Sequence, residues 1–304
     1  MTLRDERMGR DISRAVRILN DGGLVGLPTE TVYGLAARAD DRTAVAKVFD
    51  VKGRPRGHPL IVHVSSLERA RAISGDWSDR AEALGARFWP GPLTLVVPRA
   101  PRIVDEVTGG LDTVAVRVPA HPMAQALLVH VEAGLVAPSA NLFGKVSPTR
   151  PEHVLHDLGD AVDYVLDGGP CEIGVESTIV DCSSRIPQIL RPGAITETDV
   201  LEVVDEIESA SGPARAPGMM SSHYAPRCSV VNVESDVDAE PFRQRGVLVL
   251  DARRDPKTFV RDLYALLRRC DDEGREEVVV VLPDDRGIGR AVRDRLMKAA
   301  APRP

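Results

Sequence analysis

The sequence predicts an α/β fold: a twisted mixed sheet with flanking helices, followed by a smaller α/β domain. Three observations predict it. Apolar residues at helical spacing alternate with short runs rich in Val, Ile and Leu. Several of those runs follow one another through turns rather than helices, so the sheet is mixed rather than purely parallel. The pattern lapses near residue 209 and restarts near 228, and 304 residues, 43% of them apolar, supply enough material for two cores.

Taken in order, Met8 to Asn20 carries Ile12, Ala15, Val16, Ile18 and Leu19 at helical spacing, and Asp21-Gly22-Gly23 stops that helix. Leu24 to Leu27 reads as a short buried strand. Thr43 to Val51 reads as a helix, and Pro59 to Val64 as a strand because β-branched residues dominate it. Leu67 to Ile73 and Asp79 to Phe88 read as helices, the second ending before Pro90-Gly91-Pro92. Leu93 to Val97, Val114 to Val118 and Leu135 to Ala137 are further strands, with a helix from Pro122 to Glu132 between the last two. Tyr164 to Leu166, Ser177 to Val180 and Ile189 to Arg191 make the second half strand-rich.

Ser209 to Gly218 has no periodicity and reads as a linker. Beyond it come strands Ser229 to Val233, Val247 to Leu250 and Val278 to Leu282, with helices Lys257 to Arg269 and Arg290 to Lys298. The expected organisation is therefore a domain over 8–208, a connecting segment over 209–227 and a small α/β domain over 228–304. Asp284-Asp285-Arg286 in that domain reads as a solvated turn.

Net charge is −6 and the pI near 5.7, so any contact with nucleic acid has to come from a local patch. The first residues are charged and no apolar run approaches the roughly eighteen residues of a membrane span, which makes the cytoplasm the expected location. Cys171, Cys182, Cys228 and Cys270 form no CxxC pair, so neither a zinc site nor a disulfide framework is expected. His153 and His156 sit beside Glu152 and Asp157 at helical spacing and read as a solvated helix face.

Four segments carry candidate chemistry. Pro28-Thr29-Glu30-Thr31-Val32-Tyr33-Gly34-Leu35 offers three hydroxyls, suited either to a small polar ligand or to capping a strand-to-helix connection. Val51 to Pro59 places Lys52, Arg54, Arg56 and His58 within seven residues of a Gly- and Pro-rich turn. It follows neither the Walker A nor the GxGxxG order, and reads as a cationic rim for phosphates or as a charged surface loop. Ala137-Pro138-Ser139-Ala140-Asn141, followed by Ser147, lacks a GxSxG elbow, so its polar groups read as binding groups rather than nucleophiles. Arg117 stands alone in an apolar strand, which requires either a carboxylate-bearing substrate or an internal salt bridge.

Together these segments resemble the threonylcarbamoyl-AMP synthase family in its longer form, a YrdC-like domain followed by a smaller, Rossmann-like C-terminal domain. The resemblance spans nearly the whole chain. It rests on Pro28 to Leu35, Lys52-x-Arg54 with Ser139-x-Asn141, Trp89-Pro90-Gly91-Pro92-Leu93-Thr94, Gly174-Val175-Glu176-Ser177-Thr178-Ile179, Leu190-Arg191-Pro192-Gly193, Ala216-Pro217-Gly218-Met219 and His223-Tyr224-Ala225-Pro226.

The resemblance implies a nucleotidyltransferase that makes threonylcarbamoyl-adenylate and pyrophosphate from ATP, L-threonine and bicarbonate. It implies that Thr31, His63, Arg117, Ala137 (through its backbone) and Ser177 hold threonine, with Arg117 on the carboxylate. Lys52, Arg54, His58, Thr113, Ser139, Asn141, Ser147 and Arg191 would surround the nucleotide, with Lys52, Arg54, Ser139 and Asn141 closest to the chemistry. Tyr224 would reach back over the nucleotide as part of a lid. Magnesium would arrive on the ATP phosphates, since the sequence shows no carboxylate cage. The product would pass to the machinery that forms N6-threonylcarbamoyladenosine in tRNA, with at most a weak direct tRNA contact.

Two other functions fit parts of the pattern. A non-catalytic RNA-binding module could use the same cationic face, but the acidic net charge and the linker motif argue against it. A carbamoyl-adenylate-forming carbamoyltransferase would need zinc-finger-like or acylphosphatase-like modules, for which the chain has neither CxxC pairs nor room.

Overall fold

The computed structural model describes residues 6–210, 215–218 and 223–302. Met219 of the linker motif and residues 211–214 lie outside the described residues.

Eleven strands form one mixed sheet: β1 (Met8–Gly9), β2 (Val25–Leu27), β3 (Gly34–Arg38), β4 (Ile61–His63), β5 (Leu93–Pro98), β6 (Thr113–Arg117), β7 (Leu135–Val136), β8 (Tyr164–Leu166), β9 (Thr178–Asp181), β10 (Gln188–Arg191) and β11 (Glu208–Ser209). Their spatial order is β1-β8-β2-β3-β7-β4-β6-β5-β9-β10-β11. β4 pairs in parallel with β6 and brings His63 level with Arg117. β5 pairs in parallel with β9 and places Thr94 beside Ile179. These registers gather the polar ends of the central strands at one edge of the sheet, and an apolar core including Tyr33, Leu35, Phe49, Leu60, Leu93 and Leu95 packs below them.

Three parallel strands, β12 (Ser229–Val233), β13 (Leu248–Asp251) and β14 (Glu277–Val281), form a second sheet in the order β12-β14-β13. All five residues of β14 are apolar except Glu277, and Val278 to Val281 are fully buried, as a central strand covered on both faces requires.

The helices begin where the side chains can cap them. Helix α1 (Ile12–Asn20) starts at Asp11, whose carboxylate accepts from the Arg14 amide; helix α2 (Arg42–Lys52) starts at Asp41, which accepts from Thr43 and Ala44. The helix expected over Met8–Asn20 is therefore shorter, and Met8–Gly9 instead pairs with β8 at the sheet edge. The helix expected to run to Glu132 ends at Leu128.

The stretch Pro28–Leu35 joins β2 to the antiparallel β3, so it is a strand-to-strand turn and not a strand-to-helix connection. The reason is tertiary: Gly34 to Ala37 are buried and Arg38 half-buried between β2 and β7, and that pairing overrides the weak strand propensity of the segment. His153 is also not wholly solvated. Its ring sits half-buried on a helix over Pro151–Leu158, with Nδ1 accepting from the Thr149 amide, whereas His156 is exposed as expected.

The second domain docks closely on the first. Gly174 has φ +82°, and a Cβ there would lie 2.1 Å from the Arg261 carbonyl oxygen on helix Pro256–Asp272. Only glycine combines that backbone angle with that approach.

Candidate active site

Lys52 ends α2, and Gly53 follows in the left-handed conformation, closing the helix so that the Arg54 amide donates back to the Phe49 carbonyl. The Lys52 ammonium is buried and donates to the carbonyl oxygens of Ser139 and Asn141, both at 2.5 Å. The two halves of the Lys52-x-Arg54 and Ser139-x-Asn141 signature are thus tied directly together. Burial, followed by the nearby Arg54 charge, lowers the Lys52 pKa to about 7.

Arg54 is nearly buried. One terminal nitrogen donates to the Pro59 carbonyl at 3.0 Å, while its buried Nε has no partner. Burial lowers its pKa to about 10, with Arg191 adding to the effect. An unpaired guanidinium donor in a polar cleft is costly to leave empty, and an anion is the ligand that removes the cost. The Asn141 amide donates to Leu142 and Lys145 carbonyls, and its buried Oδ1 remains without a partner.

At the other end of the cleft, Arg117 donates to Glu30 Oε1 at 2.6 Å, to Thr31 Oγ1 at 2.9 Å and to the Gly91 carbonyl at 3.2 Å. The internal salt bridge anticipated as one alternative is therefore present. It does not exhaust the residue: a guanidinium carries five N–H groups, and these bonds engage three. Gly34 lets this wall close, because a Cβ there would meet Ala137 Cβ at 2.9 Å and the Ala137 carbonyl at 3.1 Å. His63 lies beside Arg117, buried, with Nδ1 unpaired; burial and then the Arg117 charge lower its pKa to about 3, so the ring is neutral.

Ser177 and Arg191 link the two ends. Arg191 donates through Nε to the Ser177 carbonyl at 3.0 Å and through Nη2 to its hydroxyl at 3.1 Å, and the hydroxyl also meets Thr94 Oγ1 at 2.7 Å. Arg191 reaches the linker as well, donating to Pro217 O at 3.2 Å. Linker residues Pro217, Gly218, His223 and Tyr224 form the remaining wall. Tyr224 has φ +63°, a left-handed angle that costs a non-glycine residue about 1–2 kcal/mol. It is held there by burial, by an edge contact with His223 and by stacking on Tyr264 at 5.6 Å.

Eleven of the fourteen expected site residues line this one pocket: Thr31, Lys52, Arg54, His63, Arg117, Ala137, Ser139, Asn141, Ser177, Arg191 and Tyr224. Three do not line it. His58 packs edge-on against Phe143, a lining residue. Ser147 is fully buried behind the wall and donates to Glu176 Oε1 at 2.6 Å. Thr113 shares a face of β6 with Arg117 but stands four residues away, roughly 13 Å along a strand. The space inside is about 50 Å³, well below the several hundred of a typical ligand cleft.

Glu176, Tyr264 and Arg295 had no expected role. The Glu176 carboxylate accepts from Ser147, from Tyr264 Oη at 2.8 Å and from Arg295 Nε at 2.9 Å. Burial would raise its pKa, but Arg295, Arg191 and the hydrogen bonds hold it down at about 2. Arg295 was readable in principle: Ala291, Val292, Leu296 and Ala299 place it on the buried stripe of its helix.

The buried histidines give the fold an acid limit. Burial lowers His63 and His223 to about 3 and His153 to about 4. Between those values and 6.5 the unfolded chain binds protons that the folded chain does not, so stability falls as pH falls through this window. Each histidine contributes a slope of about 1.4 kcal/mol per pH unit where fully effective. Urea unfolding at pH 7, 6 and 5 should show a falling midpoint, and His63→Asn should flatten it; a midpoint constant from pH 7 to 5 would contradict these burials.

Two sequence-family models match the chain, one described as telomere recombination over residues 17–193 and one as the threonylcarbamoyl-AMP synthase C-terminal domain over 194–301. The threonylcarbamoyl-AMP synthase of Pyrococcus abyssi is 38% identical, over 94% of this chain and 93% of its own length. That of Bacillus subtilis is also 38% identical, over 96% and 93%. The crystal structure of P. abyssi Sua5 complexed with L-threonine superposes with a TM-score of 0.90 at 37% identity, covering 96% of each chain. With both domains matched and full-length relatives of one kind on either side of the bacterial–archaeal divide, the chain belongs to the threonylcarbamoyl-AMP synthase family.

Proposed function

We propose that this enzyme is an L-threonylcarbamoyladenylate synthase, a nucleotidyltransferase acting on ATP, L-threonine and bicarbonate. On this reading 8–208 is the catalytic domain, 209–227 the connecting segment and 228–304 the small second domain. The observation that carries it is the division of one pocket into two ends. Lys52, Arg54 and Arg191 converge at one, with an unpaired Arg54 donor; Arg117, Thr31 and His63 converge at the other, with guanidinium hydrogens to spare.

The neutral threonine amine adds to the carbon of bicarbonate, giving a carbamate and water. The carbamate oxygen then attacks the α-phosphorus of ATP as the bond to pyrophosphate breaks. The chain supplies position and charge: Arg117 for the carboxylate, Lys52 and Arg54 for the phosphates and the leaving pyrophosphate. Neutral His63 can accept a hydrogen bond from the amine. The linker wall keeps water from a hydrolysable adenylate.

A magnesium ion would come on the ATP phosphates as part of the substrate. The carboxylates at and behind the pocket wall are already engaged: Glu176, which lines it, by three donors, and Glu30, behind it, by Arg117 and the Ala120 amide. No helix among the described residues is long and apolar enough to cross a membrane. On the proposed reading the product is handed in the cytoplasm to the tRNA threonylcarbamoyl-transfer machinery.

The test is pyrophosphate release with each substrate omitted in turn. Release should require ATP and threonine and rise with added bicarbonate. Release independent of threonine, or salt-sensitive RNA binding with no release, would overturn the reading.

A further inference from the structure

The helix Ile288–Ala300 of the second domain carries two residues that reach the far side of the pocket. Arg295, fully buried, donates to Glu176 Oε2 at 2.9 Å and to the Pro192 carbonyl at 3.1 Å, and its guanidinium carbon lies 5.1 Å from the centre of the Tyr224 ring. Lys298, one turn on, donates to the Gly218 carbonyl at 2.7 Å, and its own carbonyl accepts from the His223 amide at 3.3 Å. Asp294 pairs with both cations. One helix face therefore holds the described connecting segment at both of its contacts with the pocket, Gly218 and His223–Tyr224.

We propose that Arg295 and Lys298 are positioning residues for the nucleotide end of the site, acting through Tyr224 and Glu176. This rests on the reading of that end as the ATP subsite. Three features require such support. Tyr224 keeps a left-handed backbone angle only where its surroundings fix it. Glu176 lines the pocket, accepts from the Ser147 hydroxyl behind the wall and is itself oriented by Tyr264 and Arg295. Gly174, two residues before Glu176, admits the second domain at a separation that no side chain would allow. The second domain is thus a structural part of the site. Of the threonine-end residues, His63 and Arg117 make none of these contacts and Thr31 meets Gly174 only through its backbone carbonyl, so the predicted effect falls mainly on the ATP end.

Arg295→Met should raise the KM for ATP at least tenfold and leave the KM for threonine within twofold. A loss of folded protein alone would lower kcat and leave both KM values in place. Independently of any substrate, hydrogen exchange at the Ala225 amide, which donates to the Gly144 carbonyl, should speed up at least tenfold in Arg295→Met. If that variant does not fold, Lys298→Met, which removes the single part-buried bond to the Gly218 carbonyl and the pairing with Asp294, should accelerate exchange at His223. Unchanged exchange at both amides, or equal KM shifts for ATP and threonine, would overturn the proposal. Absence of ATP- and threonine-dependent pyrophosphate release by the unaltered protein would sink the functional reading instead, and the exchange measurement would still decide this one.

Discussion

Arg54→Ala is expected to lower kcat/KM for ATP by about 10³-fold while the protein stays folded. The expectation of a folded variant comes from the bonds actually lost. Arg54 gives up one hydrogen bond to Pro59 and a face contact with Phe143 at 5.8 Å, and its buried Nε had no protein partner to lose. Removing a buried cation that burial disfavours costs the fold little. Lys52 is different, because its ammonium bridges the Ser139 and Asn141 carbonyls. Lys52→Met should lose activity and stability together, as two buried carbonyl groups lose their donor.

Lys52 also sets a pH signature. Burial lowers its pKa to about 7, so the ammonium charge available to a phosphate is lost as pH rises through that value. ATP affinity should therefore be greatest below pH 7 and fall as pH rises above it, with Lys52→Met weak and flat over the same range. Calorimetric titration of ATP from pH 6 to 9 checks this, and steady kcat/KM within tenfold of the unaltered protein for Arg54→Ala would remove the phosphate role.

What could be read in advance followed the physics of each element. Leu67–Ile73 and Asp79–Phe88 were bounded correctly because a Ser caps each start and the apolar spacing is regular. Gly34–Arg38 was missed because glycine and alanine give no strand signal; pairing with β2 and β7 supplies it. The helix Asp236–Gln244 was missed because it is polar and contains Pro241. In the pocket, residues with an unusual local setting were legible, such as Arg117 in an apolar strand. Glu176 was not, since a glutamate between Val175 and Ser177 carries no local sign of the Ser147, Tyr264 and Arg295 that surround it. Two of these partners, Tyr264 and Arg295, come from the other domain, and only the fold brings them together.

The pairing of Arg117 with Glu30 allows the two readings of that arginine to be separated. Arg117→Met alone should be strongly destabilised, by about 3–5 kcal/mol, because Glu30 would remain as an unpaired buried carboxylate. Its low activity would then be ambiguous. Arg117→Met with Glu30→Gln removes both charges, and most of the stability should return, since the neutral amide can still accept from the Ala120 amide. If Arg117 only staples Glu30 and Thr31 together, turnover should recover along with the melting temperature. If its two unused N–H groups take the threonine carboxylate, the KM for threonine should stay raised by about 100-fold or more, the loss of a charge-assisted pair of hydrogen bonds. The ATP affinity should stay near that of the unaltered protein in the same double variant, because Arg54, Lys52 and Arg191 are untouched. Recovery of normal threonine KM with the fold would leave Arg117 a structural residue and move carboxylate recognition elsewhere in the pocket.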